Sequence, residues 1–158
     1  MKKGIISIAS AIAGAATGAG ITAKQVTKET KRQKELSDKH FALYLLMNQW
    51  VKVKQENKSI ASYLEKKGYR DIAIYGMNYV GETLLGELAG SGVNVKYAID
   101  RNADNIYTDV DVVMPDASIE KVDAIIVTPV TFFDEIEEML SWKTDCPILS
   151  MEDILYEV

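Results

Sequence analysis

The pattern of hydrophobic and polar residues divides this chain into three regions. Residues 4–23 carry no charge, and twenty such residues are about what an α-helix needs to cross ~30 Å of hydrocarbon. From residue 24 to about residue 57 there is no Pro or Gly, and apolar residues take up helical spacing only in the second half. After residue 59, short apolar runs alternate with amphipathic stretches, which predicts an α/β domain with a parallel sheet.

Small side chains dominate the N-terminal segment, residues 1–23. Ser10, Gly14, Gly18 and Thr22 recur every fourth residue, and such stripes let the backbones of neighbouring membrane helices approach closely. The pattern predicts a membrane helix that forms homo-oligomers. A cleaved secretory signal, or a segment that stays at the membrane surface without crossing, fits the same residues, and these alternatives stay open.

Charge is distributed unevenly between the two halves of the chain. Residues 1–70 hold 14 of the 18 Lys and Arg but 5 of the 23 Asp and Glu, whereas residues 71–158 hold 4 and 18. Basic residues from Lys24 to Lys34 outnumber those before the uncharged segment, so the positive-inside tendency places the C-terminal part in the cytoplasm. We expect the basic stretch to contact anionic lipid at the cell membrane, and not nucleic acid.

Residues 24–58 are predicted to form a long helix that is first basic and then amphipathic. Its apolar face comprises Leu43, Leu46, Met47, Trp50 and Val53. Such a face is typical of core packing or of a helix-pairing seam, and not of a ligand site. After a polar break, Ser59 is a predicted N-cap for a short helix over residues 60–67 that Gly68 ends.

The stretch that ends at Asp100 predicts the first βαβ unit of a dinucleotide-binding fold. An apolar strand over residues 72–75 is followed by Gly76-Met77-Asn78-Tyr79-Val80-Gly81, a Gly-x-Gly-x-x-Gly pattern with Asn in the middle. A helix over residues 79–89 and a strand over residues 93–99 complete the unit. In such folds the Gly turn holds pyrophosphate at the helix start, and an acid after the second strand holds ribose hydroxyls.

Three residues leave the ligand chemistry of this unit open. Asn78 tolerates unusual backbone angles, but it is also a good N-cap whose side chain could occupy the amides at the helix start. Glu82 adds negative charge where pyrophosphate would lie. Asp100 either holds a ribose or opens a turn with Arg101 and Asn102.

Further strands and helices follow. Residues 109–114 predict an edge strand, and residues 123–128 predict a fully buried strand at the centre of the sheet. Thr131 is a predicted cap for a helix that runs to Leu140.

A strand over residues 147–149 and a last helical turn from Ser150 end the pattern. Residues 59–158 are therefore predicted to be one α/β domain. We expect a Rossmann-like parallel sheet of about five strands with helices on both faces, preceded by the small-residue membrane helix and the long amphipathic helix.

Metal chemistry finds little support in the residue types. The chain has one cysteine, Cys146, and one histidine, His40, so neither a disulfide nor a Cys/His zinc site can form within one chain. Asp100, Asn102 and Asp104 resemble the start of a calcium loop, but the sixth position of that loop lacks Gly. No metal site is expected.

Tyr63 and Lys67 match the Tyr-x-x-x-Lys motif of short-chain dehydrogenases. They precede the Gly turn, however, whereas that family places the pair well after it. We interpret the match as chance. No other convincing catalytic pair accompanies Asp100, so the sequence does not establish that the protein is an enzyme.

Four segments resemble the small Rossmann-like modules of bacterial sugar-nucleotide and surface-polysaccharide enzymes, including the domains called nucleoside-diphosphate-sugar epimerase-like. They are residues 72–78, 97–100, 122–128 and 147–155. The resemblance covers about residue 59 to the end. It implies that a sugar nucleotide or dinucleotide would lie against Gly76, Asn78, Gly81 and Asp100.

Together, the residues and the resemblance predict a membrane-tethered module that binds a nucleotide, a dinucleotide such as NAD(P), or a nucleotide-sugar. Its role would be sensing or scaffolding in cell-envelope polysaccharide metabolism. The candidate ligand-binding residues are Gly76, Met77, Asn78, Tyr79, Gly81, Asp100, Arg101 and Thr128. One alternative is an NAD(P)-dependent sugar-nucleotide epimerase or reductase, and another is a structural, oligomerising membrane protein without a ligand.

Overall fold

The structure, a computed structural model, describes the backbone of residues 3–158 and the side chains of residues 26–158. The chain divides into two compact units, Met1–Phe41 and Ala42–Val158. The predicted membrane segment, residues 4–23, lies outside the residues whose side chains are described, and so does its stripe of small residues. Among the described residues, no helix is both long enough and apolar enough to span a bilayer.

The first helix, α1, comprises Lys3–Gln55. Between residues 26 and 41 its side chains are all exposed. Glu29 accepts a hydrogen bond from Gln33 at 2.9 Å and pairs with Arg32 at 3.9 Å, and Lys31 pairs with Glu35 at 3.9 Å. These contacts within one or two turns stabilise a mostly polar helix surface, on which Val26, Leu36 and Phe41 are exposed as well.

The second half of α1 belongs to the core of the unit formed by residues 42–158. Leu46, Trp50 and Val53 are 3%, 3% and 2% exposed. The indole N–H of Trp50 donates to Glu87 Oε2 at 2.6 Å, and Lys54 Nζ lies 3.0 Å from the other oxygen of that carboxylate. The amphipathic face predicted from helical spacing is therefore confirmed, and its role is core packing.

A short helix, α2, comprises Ile60–Lys67 and has the ends that the sequence predicts. The side chain of Ser59 accepts the amide hydrogen of Ser62 at 3.2 Å, and Gly68 ends the helix with φ of 86°. Both termini follow from residues within a few positions of the helix end, which is why the sequence sufficed.

Five parallel strands form one sheet in the order β3-β2-β1-β4-β5. They are β1 Asp71–Tyr75, β2 Asn94–Ile99, β3 Val112–Val113, β4 Ala124–Val127 and β5 Ile148–Ser150. The predicted edge strand is confirmed as β3, although only two of its residues pair. The central strand is β1 and not β4, which corrects the sequence-based expectation. Both strands are buried on two faces, so burial alone could not rank them.

Three more helices follow the Gly turn, β4 and β5: α3 Tyr79–Leu88, α4 Phe133–Ser141 and α5 Met151–Glu157. The predicted Thr131 cap is wrong, because Thr131 lies inside a 3₁₀ turn, Val130–Phe132, that precedes α4. Pro129 starts this turn, and its carbonyl accepts the amide hydrogen of Phe132 at 2.9 Å. Ser150, by contrast, caps α5 as expected, by accepting the amide hydrogen of Glu152 at 3.2 Å.

Alternate residues of β1 separate the core into two layers. Ile72 and Ile74 pack with apolar residues of α1, α2, α3 and α5, whereas Ala73 and Tyr75 pack with residues of α4 on the opposite face. The helix after β1 and the helix after β4 thus cover different faces. In a doubly wound sheet the chain leaves neighbouring strands in opposite directions at such a point, which opens a crevice at their carboxyl ends.

Candidate functional site

The turn after β1 needs glycine at both ends. Gly76 has φ of +93°, and a Cβ there would lie 2.7 Å from Pro129 Cδ and 2.8 Å from Thr128 Oγ1. A Cβ on Gly81 would overlap the backbone oxygen of Gly76. The start of α3 therefore lies directly against the end of β1, as the Gly pattern predicts.

Asn78 caps α3 with its own side chain. Its Oδ1 accepts the amide hydrogens of Val80 at 2.9 Å and of Gly81 at 3.3 Å, and its carbonyl accepts that of Glu82 at 2.9 Å. Amides at a helix start are the donors that a phosphate would use. Here the Asn78 side chain occupies two of them.

Asp100 binds backbone amides with both carboxylate oxygens. Oδ2 accepts the amide hydrogen of Met77 at 2.8 Å, which links the end of β2 to the Gly turn. Oδ1 accepts the amide hydrogen of Asn102 at 2.8 Å, so the turn that the sequence left as an alternative is present. Each oxygen retains a second lone pair, and Asp100 remains only half-buried.

Thr128 is buried and holds the turn through its hydroxyl group. It is 2% exposed, and its hydroxyl lies 2.6 Å from the carbonyl oxygen of Gly76 and 3.2 Å from that of Tyr75, both of which can accept its hydrogen. The sequence placed Thr128 correctly at the carboxyl end of β4, but its hydroxyl is engaged in holding the Gly turn.

A cleft of about 250 Å³ opens at the carboxyl ends of β1, β2 and β4. Four of the predicted site residues line it: Gly76, Asn78, Asp100 and Arg101. Five lining residues were not predicted: Tyr75, Pro129, Phe132, Glu135 and Ile136. The other four predicted residues, Met77, Tyr79, Gly81 and Thr128, do not line it.

Those four residues have other surroundings. Met77 is 5% exposed and belongs to the core layer beneath α3, whereas the Tyr79 side chain is 78% exposed. Gly81 provides the close approach of α3, and Thr128 holds Gly76. The sequence therefore identified the turn correctly but not which of its side chains face the open space.

Tyr75, the last residue of β1, has an unusual hydroxyl. The residue is 4% exposed and lines the cleft, yet its hydroxyl is buried without a hydrogen-bond partner among the described residues. Buried polar groups are nearly always paired, with protein or with water. Strand alternation could have indicated that Tyr75 points away from α3, but not that its hydroxyl lacks a partner.

The charges around the cleft are mostly negative. Of the charged residues whose side chains the structure describes, Asp100, Glu135 and Arg101 line it, and Glu82 lies in the first turn of α3. Pro129, Phe132 and Ile136 make the wall on the α4 side apolar, with the Phe132 side chain 39% exposed. The cleft therefore combines an aromatic wall with acidic hydrogen-bond acceptors.

No family model, curated protein or solved structure matches this chain. The resemblance to sugar-nucleotide modules stays a prediction from the residues.

A second depression, of about 700 Å³, shares no lining residue with the cleft. It contains Tyr63 and Lys67, the pair that the sequence analysis set aside. The hydroxyl of Tyr63 donates to Glu157 at 2.6 Å, and burial together with that carboxylate raises the pKa of Tyr63 above its ordinary value. A tyrosine that serves as a base needs the opposite shift, so the direction of the Tyr63 pKa gives no support to that pair.

Metal ligands do not cluster in the part of the chain with described side chains, where no three His, Cys, Asp or Glu residues come together. Asp100 and Asn102 of the calcium-like pattern are instead joined by the turn described above.

Proposed function

We propose that this protein is a membrane-tethered Rossmann-like module that binds a nucleotide, dinucleotide or nucleotide-sugar in the cleft beside Gly76 and Asp100. Residues 4–23 would anchor it in a bacterial cell membrane as a homo-oligomer, with the α/β unit in the cytoplasm. It would act as a sensor or as a scaffold in cell-envelope polysaccharide assembly.

One observation carries the proposal: the cleft lies at the carboxyl ends of β1, β2 and β4, and the helices that follow β1 and β4 cover opposite faces of the sheet. Ligands of open α/β sheets bind at such switch points. Asp100, at the end of β2, has lone pairs left for ribose hydroxyls, and Arg101 adds a cation at the same rim. The volume of about 250 Å³ is below the roughly 300–1,000 Å³ of most ligand pockets, so part of a nucleotide would project into solvent.

Titration calorimetry of the full chain with NAD, NADP and UDP-glucose tests the proposal. We expect saturable binding of at least one of them, and about tenfold weaker binding by Asp100→Asn, since a charged acceptor contributes more than a neutral one. Asp104→Asn is the matched control, because Asp104 is an exposed acid on the same loop that does not line the cleft. Heat signals without saturation up to millimolar concentrations of all three compounds would refute the proposal.

The anchor is tested separately by N-terminal sequencing of the chain recovered from membranes. We expect residue 1 or 2 at the start. A chain that begins near Lys24 would instead indicate a cleaved signal, and the cytoplasmic location would then be wrong.

A second candidate function is a structural spacer without any ligand. It is favoured by the amides of Met77, Val80 and Gly81, which already bind side chains of the protein itself. The same titrations distinguish the two functions, since the spacer predicts no saturable binding.

A further inference from the structure

Two tyrosines on the α4 face of the sheet differ in one respect. Tyr75 ends β1 and Tyr97 lies in β2, and they are 4% and 5% exposed within the same core layer. The Tyr97 hydroxyl donates to the carbonyl of Glu120 at 2.7 Å. The Tyr75 hydroxyl is buried and has no partner among the described residues, and Tyr75 is one of the residues that line the cleft. A buried hydroxyl without a partner raises the free energy of the protein without ligand, relative to a state in which the hydroxyl is hydrogen-bonded.

The surroundings of the cleft restrict what can supply the missing partner. Phosphate would compete with Asp100 and Asn78 for the amides of Met77, Val80 and Gly81. It would also approach a surface that holds 18 acidic and 4 basic residues between positions 71 and 158. Both effects oppose a pyrophosphate at the start of α3.

The other wall of the cleft suits a flat, weakly charged ring. Pro129, Phe132 and Ile136 provide apolar surface, against which such a ring can pack. A nucleobase combines such a ring with edge acceptors, namely ring nitrogens or carbonyl oxygens. The ribose attached to it carries hydroxyls that Asp100 can accept.

We propose that the cleft recognises its ligand by the nucleoside end, and that the Tyr75 hydroxyl selects the base by donating a hydrogen bond to its edge. This inference rests on the proposed function and narrows it. The phosphates or the sugar of a larger ligand then project into solvent and add little affinity. Tyr75 is accordingly a specificity-determining residue of this site.

The test compares the full chain with its Tyr75→Phe and Tyr97→Phe variants in calorimetric titrations. The probes are adenosine, uridine, AMP, UMP, NAD and UDP-glucose. We expect one nucleoside to bind within about threefold of its phosphorylated forms, and Tyr75→Phe to weaken that binding about 3–10-fold, as the loss of one hydrogen bond predicts. Tyr97→Phe should bind as the parent chain does.

Thermal unfolding without ligand supplies a second readout for the same variants. Tyr75→Phe removes an unpaired buried hydroxyl, so its melting temperature should equal or exceed that of the parent chain. Tyr97→Phe loses a hydrogen bond and should melt lower. A Tyr75→Phe variant that melts as low as Tyr97→Phe would show that the hydroxyl is already paired, which would overturn the inference.

The binding outcomes separate this inference from the proposed function. If NAD or UDP-glucose binds at least tenfold more tightly than every nucleoside, or if Tyr75→Phe binds as well as the parent chain, recognition by the nucleoside end is wrong while nucleotide binding stands. If no probe saturates the chain up to millimolar concentration, both are wrong.

Discussion

Replacing Gly81 with Ala tests the close approach on which the candidate site depends. An added Cβ would overlap the backbone oxygen of Gly76, which cannot move without moving the end of β1. That oxygen also accepts the Thr128 hydroxyl hydrogen at 2.6 Å. The substitution is thus expected to disturb the turn, one wall of the cleft and the contact between α3 and the sheet at once.

The expected change in the free energy of unfolding combines three effects. Forcing extra volume into a packed region costs about 1–3 kcal/mol. Loss of the Thr128 hydrogen bond costs about 1 kcal/mol more. Ala gains about 0.5–1 kcal/mol over Gly inside a helix. Gly81→Ala should therefore destabilise the protein by about 1–3 kcal/mol.

Gly86→Ala is the matched control, because Gly86 lies in the same helix and a Cβ there would meet nothing within 4 Å. It should gain the helical preference alone and stabilise the protein by about 0.5–1 kcal/mol. Urea unfolding followed by the fluorescence of Trp50, which is 3% exposed, reports both changes. If Gly81→Ala proves as stable as Gly86→Ala, α3 does not lie against β1 and the geometry of the cleft is wrong.

Three further predictions concern stability. Glu87→Ala should lower the free energy of unfolding in urea by about 1.5–3 kcal/mol, because the Trp50 indole loses a charged acceptor at 2.6 Å. Glu56→Ala, at an exposed ion pair, is the control and should change it by less than about 0.5 kcal/mol. Burial raises the pKa of Tyr97 to about 12, so the urea midpoint of unfolding should fall as pH rises from about 10 to 12. Tyr97→Phe should flatten that decline. If the variant's midpoint falls as steeply with pH as that of the parent chain, Tyr97 does not cause the decline. Amide hydrogen bonds lower the pKa of Asp123, so its carboxylate contributes to the free energy of unfolding above the ordinary Asp pKa of about 3.9. That contribution is lost on further acidification, and acid unfolding of Asp123→Asn should not show this loss.

Local sequence signals located most of the helices and strands. The ends of α2 follow from Ser59 and Gly68, and the start of α5 follows from Ser150. The turn after β1 follows from Gly76 and Gly81. Each of these features depends on groups a few positions apart in the chain, so the residues themselves specify the hydrogen bond or the backbone angle that forms.

The order of the strands could not be obtained in the same way. Residues of β4 read as the central strand because all of them are apolar, but β1 takes that place by pairing with both β2 and β4. Apolar content reports burial on two faces, which every interior strand of a parallel sheet shares. The 3₁₀ turn before α4 was missed because Pro129, whose carbonyl accepts the amide hydrogen of Phe132, starts a turn that contains Thr131.

The sequence by itself determined an α/β domain, its Gly turn, and the position of Asp100 at the end of the second strand. Only the tertiary structure decided that Asp100 and Asn78 bind the turn's own amides, that Phe132 and Tyr75 line the same cleft, and that the Tyr75 hydroxyl has no partner among the described residues. The reason is physical. A side chain's partner depends on which segments the sheet brings together, and segments distant in the chain carry no mutual signal in their local residue pattern.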